Sequence, residues 1–409
     1  MKKKERLKTF CIIVCILICL AQLTSAQAAP KVRLNKASAT VEVGHTITLQ
    51  VMNSNNSVSW SSKNKSIATV SGKGRVKGIK AGKTTVSAKV GSKTLTCKIT
   101  VKNSAAVSDK GASVTPAPYQ NSASTVYMTT DISSSGMMKI YEALGKVPKG
   151  NVAVKLSTGE AGDTYYLSPD LIKELVQTVN GTIVECNTAY GGSRSNTAMH
   201  MQVAEDHGFT KIADVDIMDA EGSMSIPVTG GEHLKEDLVG AHLADYDFVV
   251  VLSHFKGHAM AGFGGALKNI SIGIGSSEGK SLIHSAGTAR TGIGMGTNQD
   301  DFLESMAEAA KAVSDYENGN MLYINVMNNL SVDCDCDSSP AAPTMADIGI
   351  LASLDPVALD QACVDLVNAA PDGADLVERM ESRNGPHILD YAAQIGLGSQ
   401  KYKLVSIDD

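Results

Sequence analysis

Aromatic residues are scarce in this chain: one tryptophan, six phenylalanines and eleven tyrosines among 409 residues. A core with so few large rings has to be filled by aliphatic and small side chains, which suits a packed α/β protein rich in Ala, Gly and Val. Charged residues are also few, at 19%. No Cys-x-x-Cys pair occurs anywhere, so the ligand run of a ferredoxin-type [4Fe–4S] cluster is missing and that cofactor is not expected. No apolar run is long enough for a comfortable bilayer span, which takes roughly 20 residues. The longest, Phe10 to Leu23, follows Lys2, Lys3, Lys4, Arg6 and Lys8 and precedes Ala26-Gln27-Ala28. A positive segment, a short apolar segment and small residues in that order read as a secretion signal over residues 1–28, and the expected location is extracytoplasmic. Cys15 and Cys19 follow Val14 and Ile18, which speaks against a lipoprotein.

Removing the signal leaves Cys97, Cys186, Cys334, Cys336 and Cys363. An odd number excludes a complete disulfide framework. The overall charge of −5 conceals a split. Residues 31–102 hold 14 Lys and Arg against one acid, Glu42, whereas residues 126–409 hold 17 basic residues against 39 acids. Such asymmetry bears on partners rather than fold. It predicts that the basic segment holds the protein on an anionic cell-wall or matrix polymer; no nucleic-acid partner is expected.

Within 31–102 apolar residues alternate with polar ones at Val41 and Val43, at Ile47, Leu49 and Val51, at Val86, Ala88 and Val90, and at Leu95, Cys97, Ile99 and Val101. Period-two alternation broken by glycines predicts short half-buried strands and an all-β sandwich, with Trp60 plugging its core. The segment resembles the bacterial Ig-like group 2 domain through Trp60-Ser61-Ser62, Ile67-Ala68-Thr69-Val70 and Ala81-Gly82-Lys83-Thr84-Thr85-Val86. That resemblance implies a spacer or adhesive module. Residues 103–125, rich in Ser, Ala, Pro and Thr, read as a linker.

Beyond 125 the pattern changes to strands alternating with helices. Val152–Leu156 is a short apolar run, Phe248–Leu252 is fully apolar, and Thr182–Cys186 and Leu322–Val326 read as further strands. Ser168-Pro169-Asp170, Asn196 and Asp355-Pro356 mark helix starts. This predicts a large α/β domain over 126–409 with a mostly parallel sheet covered by helices on both faces, and a ligand site at the carboxyl ends of its strands.

Three clusters carry candidate chemistry. His254, His258, Gly262, Gly264, Gly265 and Lys268 follow directly on the run 248–252, with His284 beyond. Two imidazoles can move protons or bind metal, the lysine can hold an anion or form a covalent link, and the glycines would let backbone amides approach a cofactor. Asp333-Cys334-Asp335-Cys336-Asp337 packs thiols and carboxylates so densely that a cation is expected, thiolate favouring zinc or iron. A disulfide between residues two apart would be strained, so Cys334 and Cys336 read as metal ligands. In the third cluster, Tyr190 to Asn196, Arg194 is placed to clamp a carboxylate or phosphate.

Residues 126–400 resemble the domain of unknown function 362 family, often described as iron–sulfur centre proteins. The resemblance rests on Gly192-Ser193-Arg194-Ser195-Asn196, His254-Phe255-Lys256-Gly257-His258, Ala261 to Asn269, Cys334-Asp335-Cys336, and Asp347 to Ala362. Many relatives carry a ferredoxin-like cysteine insertion after the position of Ser285, which this chain lacks. The shorter segment His258-x3-Gly262-Phe263-x-Gly265-x2-Lys268, followed by His284, is similar to the nickel-pincer lactate racemase family. That likeness implies proton transfer by His258, a covalent cofactor on Lys268 and nickel on His284, for racemisation or epimerisation of small hydroxy acids. It departs in Ile270-Ser271-Ile272-Gly273, where that family has Pro-Gly. The expectation is a metal-dependent enzyme or redox protein outside the cytoplasm, the metal being zinc, iron or nickel. The competing reading is a surface protein that binds a ligand or metal without turnover.

Overall fold

The computed structural model describes residues 31–102 and 123–408, apart from positions 44, 45, 55, 73 and 295. The expected signal at 1–28 lies outside the described residues, as does the expected linker apart from its last three positions. Two compact units divide the chain near residue 111.

In the N-terminal unit, Ser38–Glu42, Lys93–Lys102, Gly82–Val90 and Val58–Ser62 form one sheet in that spatial order, and Thr46–Thr48, Arg75–Gly78 and Ala68–Val70 form another. Val86, Ala88, Val90, Cys97, Ile99 and Val101 are buried, as the alternation of side chains along a strand requires. Trp60 is half-buried and packs against this core rather than sitting at its centre. Its ring lies over Gly74, where a Cβ would come within 2.7 Å of the indole and 2.3 Å of the Leu49 carbonyl oxygen. With φ at +84°, only glycine suits that position.

The larger unit is built on an eight-stranded sheet. Its strands are β1 (Ser124–Thr129), β2 (Val152–Lys155), β3 (Gly181–Glu185), β4 (Val215–Ile217), β5 (Phe248–His254), β6 (Met321–Met327), β7 (Gly349–Ser353) and β8 (Tyr402–Ser406), in the spatial order β4-β3-β2-β5-β6-β7-β1-β8. The first five are mutually parallel. β7 runs antiparallel to both β6 and β1, while β8 is parallel to β1. β1 starts at Ser124, so regular structure begins inside the segment that composition assigned to the linker.

Successive strand residues feed two separate cores. Val152, Val154, Ile183, Val250, Leu252, Ile324 and Val326 face one cluster, which is closed by helices Ser134–Ala143 and Pro169–Thr178. Ala153, Val184, Val249, Val251 and Tyr323 face the other, closed by helices Gln299–Glu317 and Pro356–Ala369. Burial on both faces is why these strands read as unbroken apolar runs. The helix starts read from sequence are built as expected. The Asn196 side chain accepts from Met199 N, and Asp355 accepts from Val357 N and Ala358 N.

From β2 the chain first adds β3 and β4 on one side, then crosses to add β5 and β6 on the other. The carboxyl ends of β2 and β5 therefore flank a topological switch point, where an open α/β sheet leaves a crevice.

Candidate functional site

A cavity of about 740 Å³ opens at that switch point. Its walls come from the strand ends: Lys155 and Ser157 after β2, Glu185 to Tyr190 after β3, Ser253 to Met260 after β5, and the loop 333–338 after β6. Lys155 and Glu185 are each the last residue of an otherwise apolar strand. Their side chains are almost wholly buried, with Lys155 Nζ 3.1 Å from Glu185 Oε2. Arg194 Nη1 lies 3.2 Å from Glu185 Oε1, and its Nε lies 3.3 Å from Glu160 Oε2. Burial alone would raise the Glu185 pKa, yet Lys155, His200 and Arg194 outweigh it and hold the carboxylate well below its usual range. A second buried group joins Asp335 to Lys256 at 2.7 Å and to His254 Nδ1 at 3.1 Å. There too burial acts upward, but His254 and Lys256 pull the Asp335 pKa down to about 2.

These pairings alter several roles expected from sequence. Arg194 lines the cavity, but its guanidinium is spent on Glu160, Glu185, Ser157 and the Tyr190 hydroxyl, so it braces the wall rather than clamping a ligand. His254 has both ring nitrogens engaged, one with Asp335 and the other 2.7 Å from the Asn328 carbonyl oxygen. It orients the loop after β6 and offers no free atom to a cofactor. Gly262, Gly264 and Gly265 serve close packing of protein on protein. A Cβ at Gly262 would sit 2.9 Å from Gly385 Cα, at Gly265 2.3 Å from Asp360 Oδ1, and at Gly264 3.0 Å from the Lys268 side chain. Gly264 and Gly265 still line the cavity; Gly262 does not.

His258, Lys268 and His284 all line this one cavity. Lys256–His258 pairs with Gly262–Gly264 as a tight hairpin that folds back from β5. The short helix Ala266–Ile270 follows, its first amides donated to Asp360 at 2.8 and 2.9 Å. That anchor fixes where Lys268 emerges. His284 ends the helix Ser277–His284 and stacks on Phe302 at 4.9 Å between ring centres.

The two histidines are held in opposite tautomers. His258 Nδ1 accepts from Ala261 N at 2.9 Å and Met260 N at 3.2 Å. A nitrogen that accepts two amide hydrogens carries none of its own, so neutral His258 bears its hydrogen on Nε2. His284 Nδ1 faces the Lys280 carbonyl oxygen at 2.7 Å. A carbonyl only accepts, so His284 carries its hydrogen on Nδ1 and keeps a lone pair on Nε2. Both rings are neutral at pH 7. Burial, helped by the nearby charge of Lys268, drives the His258 pKa well down. Burial likewise brings His284 to about 4, against the opposing pull of the Lys280 carbonyl. Lys268 has no ion-pair partner among the described residues, and burial lowers its pKa to about 8 despite the attraction of Asp335. Lys280 also faces the cavity, bonded only to carbonyl oxygens of Gly275 and Cys186. Neither ammonium group has a carboxylate in ion-pair contact among the described residues, although Asp335 attracts Lys268 and Asp219 attracts Lys280 from farther off.

Cys334 and Cys336 are bonded to each other here, a pairing that the reading of these residues as free ligands excluded. As a disulfide they offer no thiolate, so holding a cation would require their reduction. The histidine beside them is His258, whose ring lies within 4.8 Å of both sulfurs. His284, expected as the metal ligand, is not part of that group.

Lys155, Glu160, Glu185, Lys256 and Lys280 are not singled out as site residues by the sequence, and Asp335 is read there only as part of a cation-binding cluster. The available signal was positional. A lone charge ending an apolar strand is costly to bury without a purpose, and Lys155 and Glu185 both stand there.

A family model described as Domain of unknown function (DUF362) matches residues 152–365, just over half of the chain. The chain belongs to the DUF362 family. The match spans every strand of the switch point and all three of His258, Lys268 and His284. A second model, Bacterial Ig-like domain (group 2), matches residues 28–101 of the N-terminal unit. Among solved structures, domains 4 and 5 of the S-layer protein SbsC are 24% identical, with 18% of this chain and 51% of that chain covered at a TM-score of 0.15. The chain spans about half the length of that structure or less of its longer relatives. A mutant intimin of EHEC O157:H7 is 16% identical over 30% of this chain and 61% of that one, at 0.17. The lactate racemase apoprotein from Thermoanaerobacterium thermosaccharolyticum is 16% identical over 60% of this chain and 57% of that one, at 0.38. Likenesses this distant assign no role to any residue. No curated protein matches the chain.

Proposed function

We propose that the DUF362 domain is an enzyme acting on a small anionic molecule, a carboxylate above all, by histidine-mediated proton transfer, in a protein exported and held at the cell surface. One observation carries this reading: Lys268, a cation with no carboxylate in ion-pair contact among the described residues, shares one cavity with two neutral imidazoles of opposite tautomer. An anion entering the cavity meets Lys268 and Lys280, neither of which is held in an ion pair among the described residues. Beside it, His258 presents an N–H and His284 a bare nitrogen. His284 can remove a proton and return it as the imidazolium, while the neutral His258 N–H, too weak an acid to give up its hydrogen, donates a hydrogen bond to the charge that develops on the substrate. The same lone pair on His284 suits it as a nickel or zinc ligand, and Lys268, part-neutral near pH 8, suits covalent attachment of an aldehyde or activated carbonyl. The basic Ig-like unit would hold the enzyme on anionic wall polymer, with the apparent secretion signal delivering it there.

The test is binding of simple carboxylates by the full chain, with Lys268→Met as the comparison. Saturable binding that the variant loses supports the reading; equal binding by both refutes it.

A second reading rests on a separate observation, the closeness of Cys334, Cys336 and His258. Reduction of the disulfide would create a two-thiolate cation site at the cavity wall, making the domain a metal-dependent or redox protein.

A further inference from the structure

Away from the cavity, the loop before β5 brings another set of ligating atoms together. His233 Nε2 lies 2.7 Å from Glu304 Oε2, and His387 Nε2 lies 2.9 Å from Glu304 Oε1. The carboxylate of Glu232, the His233 ring and Glu304 offer ligand atoms that all fall within 4.8 Å of one another. We propose that this cluster is a zinc site in which Glu232, His233 and Glu304 bind the ion and His387 completes or steadies it.

The loop is built to present these residues. Glu308 sits one helical turn after Glu304 on Gln299–Glu317 and is buried. Its carboxylate accepts from Glu232 N at 2.6 Å, His233 N at 3.2 Å and Leu234 N at 2.8 Å, and from the Tyr391 hydroxyl at 2.9 Å. Three successive amides gathered on one carboxylate force a tight turn. Gly231 is required at its entry, because a Cβ there would meet the Leu234 carbonyl oxygen at 2.4 Å and Glu308 at 2.8 Å. The turn directs the Glu232 and His233 side chains outward over Glu304, which shares the helix face with Glu308. The ligand-bearing backbone is thus fixed by groups that do not themselves bind the ion, an arrangement typical of metal sites.

The chemistry fits zinc or a similar first-row ion. Two carboxylates offset the dipositive charge, and imidazole is a favoured partner. His233, half-buried with 18% of its side chain exposed, and His387, with 27% exposed, remain reachable from solvent. Three sequence-distant segments meet here: the 231–234 loop, helix Gln299–Glu317 and the start of helix His387–Gln394. An ion at this point would cross-link them, and it would do so independently of the cavity.

The experiment uses the full chain carrying Cys334→Ser and Cys336→Ser, so that this sulfur pair cannot take the ion. The protein is stripped with chelator and titrated with Zn²⁺ alone by calorimetry, with the melting temperature followed in parallel. One ion should bind and raise the melting temperature. Adding Glu232→Gln, an exposed position whose change leaves the fold intact, should weaken binding about tenfold or more. His233→Ala should do the same and abolish the thermal gain. Absence of Zn²⁺ binding in the parent, or unchanged affinity in Glu232→Gln and His233→Ala, would overturn the proposal.

Discussion

Lys155 Nζ lies 3.1 Å from Glu185 Oε2, and both groups end neighbouring parallel strands with at most 5% of either side chain exposed. Neither charge tolerates that depth without the other. Glu185→Gln would leave Lys155 and part of Arg194 uncompensated and should destabilise the domain by about 3–5 kcal/mol. Because the folded-state pKa of Glu185 is depressed, its stabilising contribution is complete above its unfolded pKa and is lost as pH falls through the folded value. Urea unfolding of wild type and variant should therefore show a gap at pH 7 that narrows toward acid. A gap that does not change with pH contradicts the pairing.

Lys268 works in the opposite sense. Its pKa falls from 10.5 to about 8, so between those values the unfolded chain keeps a proton that the folded one has released. Stability should rise with pH across that window. Lys268→Met removes the buried charge and should raise the urea midpoint at pH 7, the usual trade of stability against function at a working site. A lower midpoint would make Lys268 a structural residue.

Asp360 positions Lys268 without touching the cavity. It accepts from Ala266 N, Leu267 N and Asn325 Nδ2, the last at 2.7 Å. Asp360→Ala leaves these donors unpaired and should cost about 3 kcal/mol, with carboxylate binding lost in parallel. Chemical denaturation and calorimetry on the same preparation check both effects.

Much of this architecture is legible in the chain. Val152–Lys155, Phe248–His254 and Met321–Met327 announce themselves because both faces of the sheet are covered, so apolar residues dominate them. Asn196 and Asp355 mark helix starts because capping is a local hydrogen bond between near neighbours. The hairpin at Lys256–His258 and the strands β1, β7 and β8 on one side of the sheet escape such reading, since their pairing depends on distant partners. The site is legible only in part for the same reason. His258, Lys268 and His284 sit close together in sequence. Glu185, Arg194 and Lys155 form one buried network from three separate segments, and nothing local reveals that Arg194 is already spent. A bond between Cys334 and Cys336 reads from sequence as strained, and the pairing of the cysteines is not legible there; the structure places the two sulfurs together.

The sulfur pair yields a redox prediction. Reduction should add about one equivalent of bound Zn²⁺ relative to oxidised protein, and Cys334→Ser with Cys336→Ser should abolish that increment. Elemental analysis before and after reduction measures it. Equal metal content in both states would leave the pair without a role in cation binding.

The basic unit yields another. Attraction between surface charges is screened within roughly 8 Å at physiological salt. Sedimentation of the full chain with native cell walls should therefore fall steeply as NaCl is added, and salt-independent binding would contradict an electrostatic attachment.

The central claim is that Lys268 is a lowered-pKa, unpartnered amine awaiting an anion. Competitive acylation of the full chain across pH, with Lys268 followed by peptide mass spectrometry, tests it most directly. Labelling of Lys268 should rise with a midpoint near 8, and a small carboxylate should protect it and move the midpoint upward. A midpoint near the ordinary lysine value of 10.5, unmoved by any carboxylate, would contradict it.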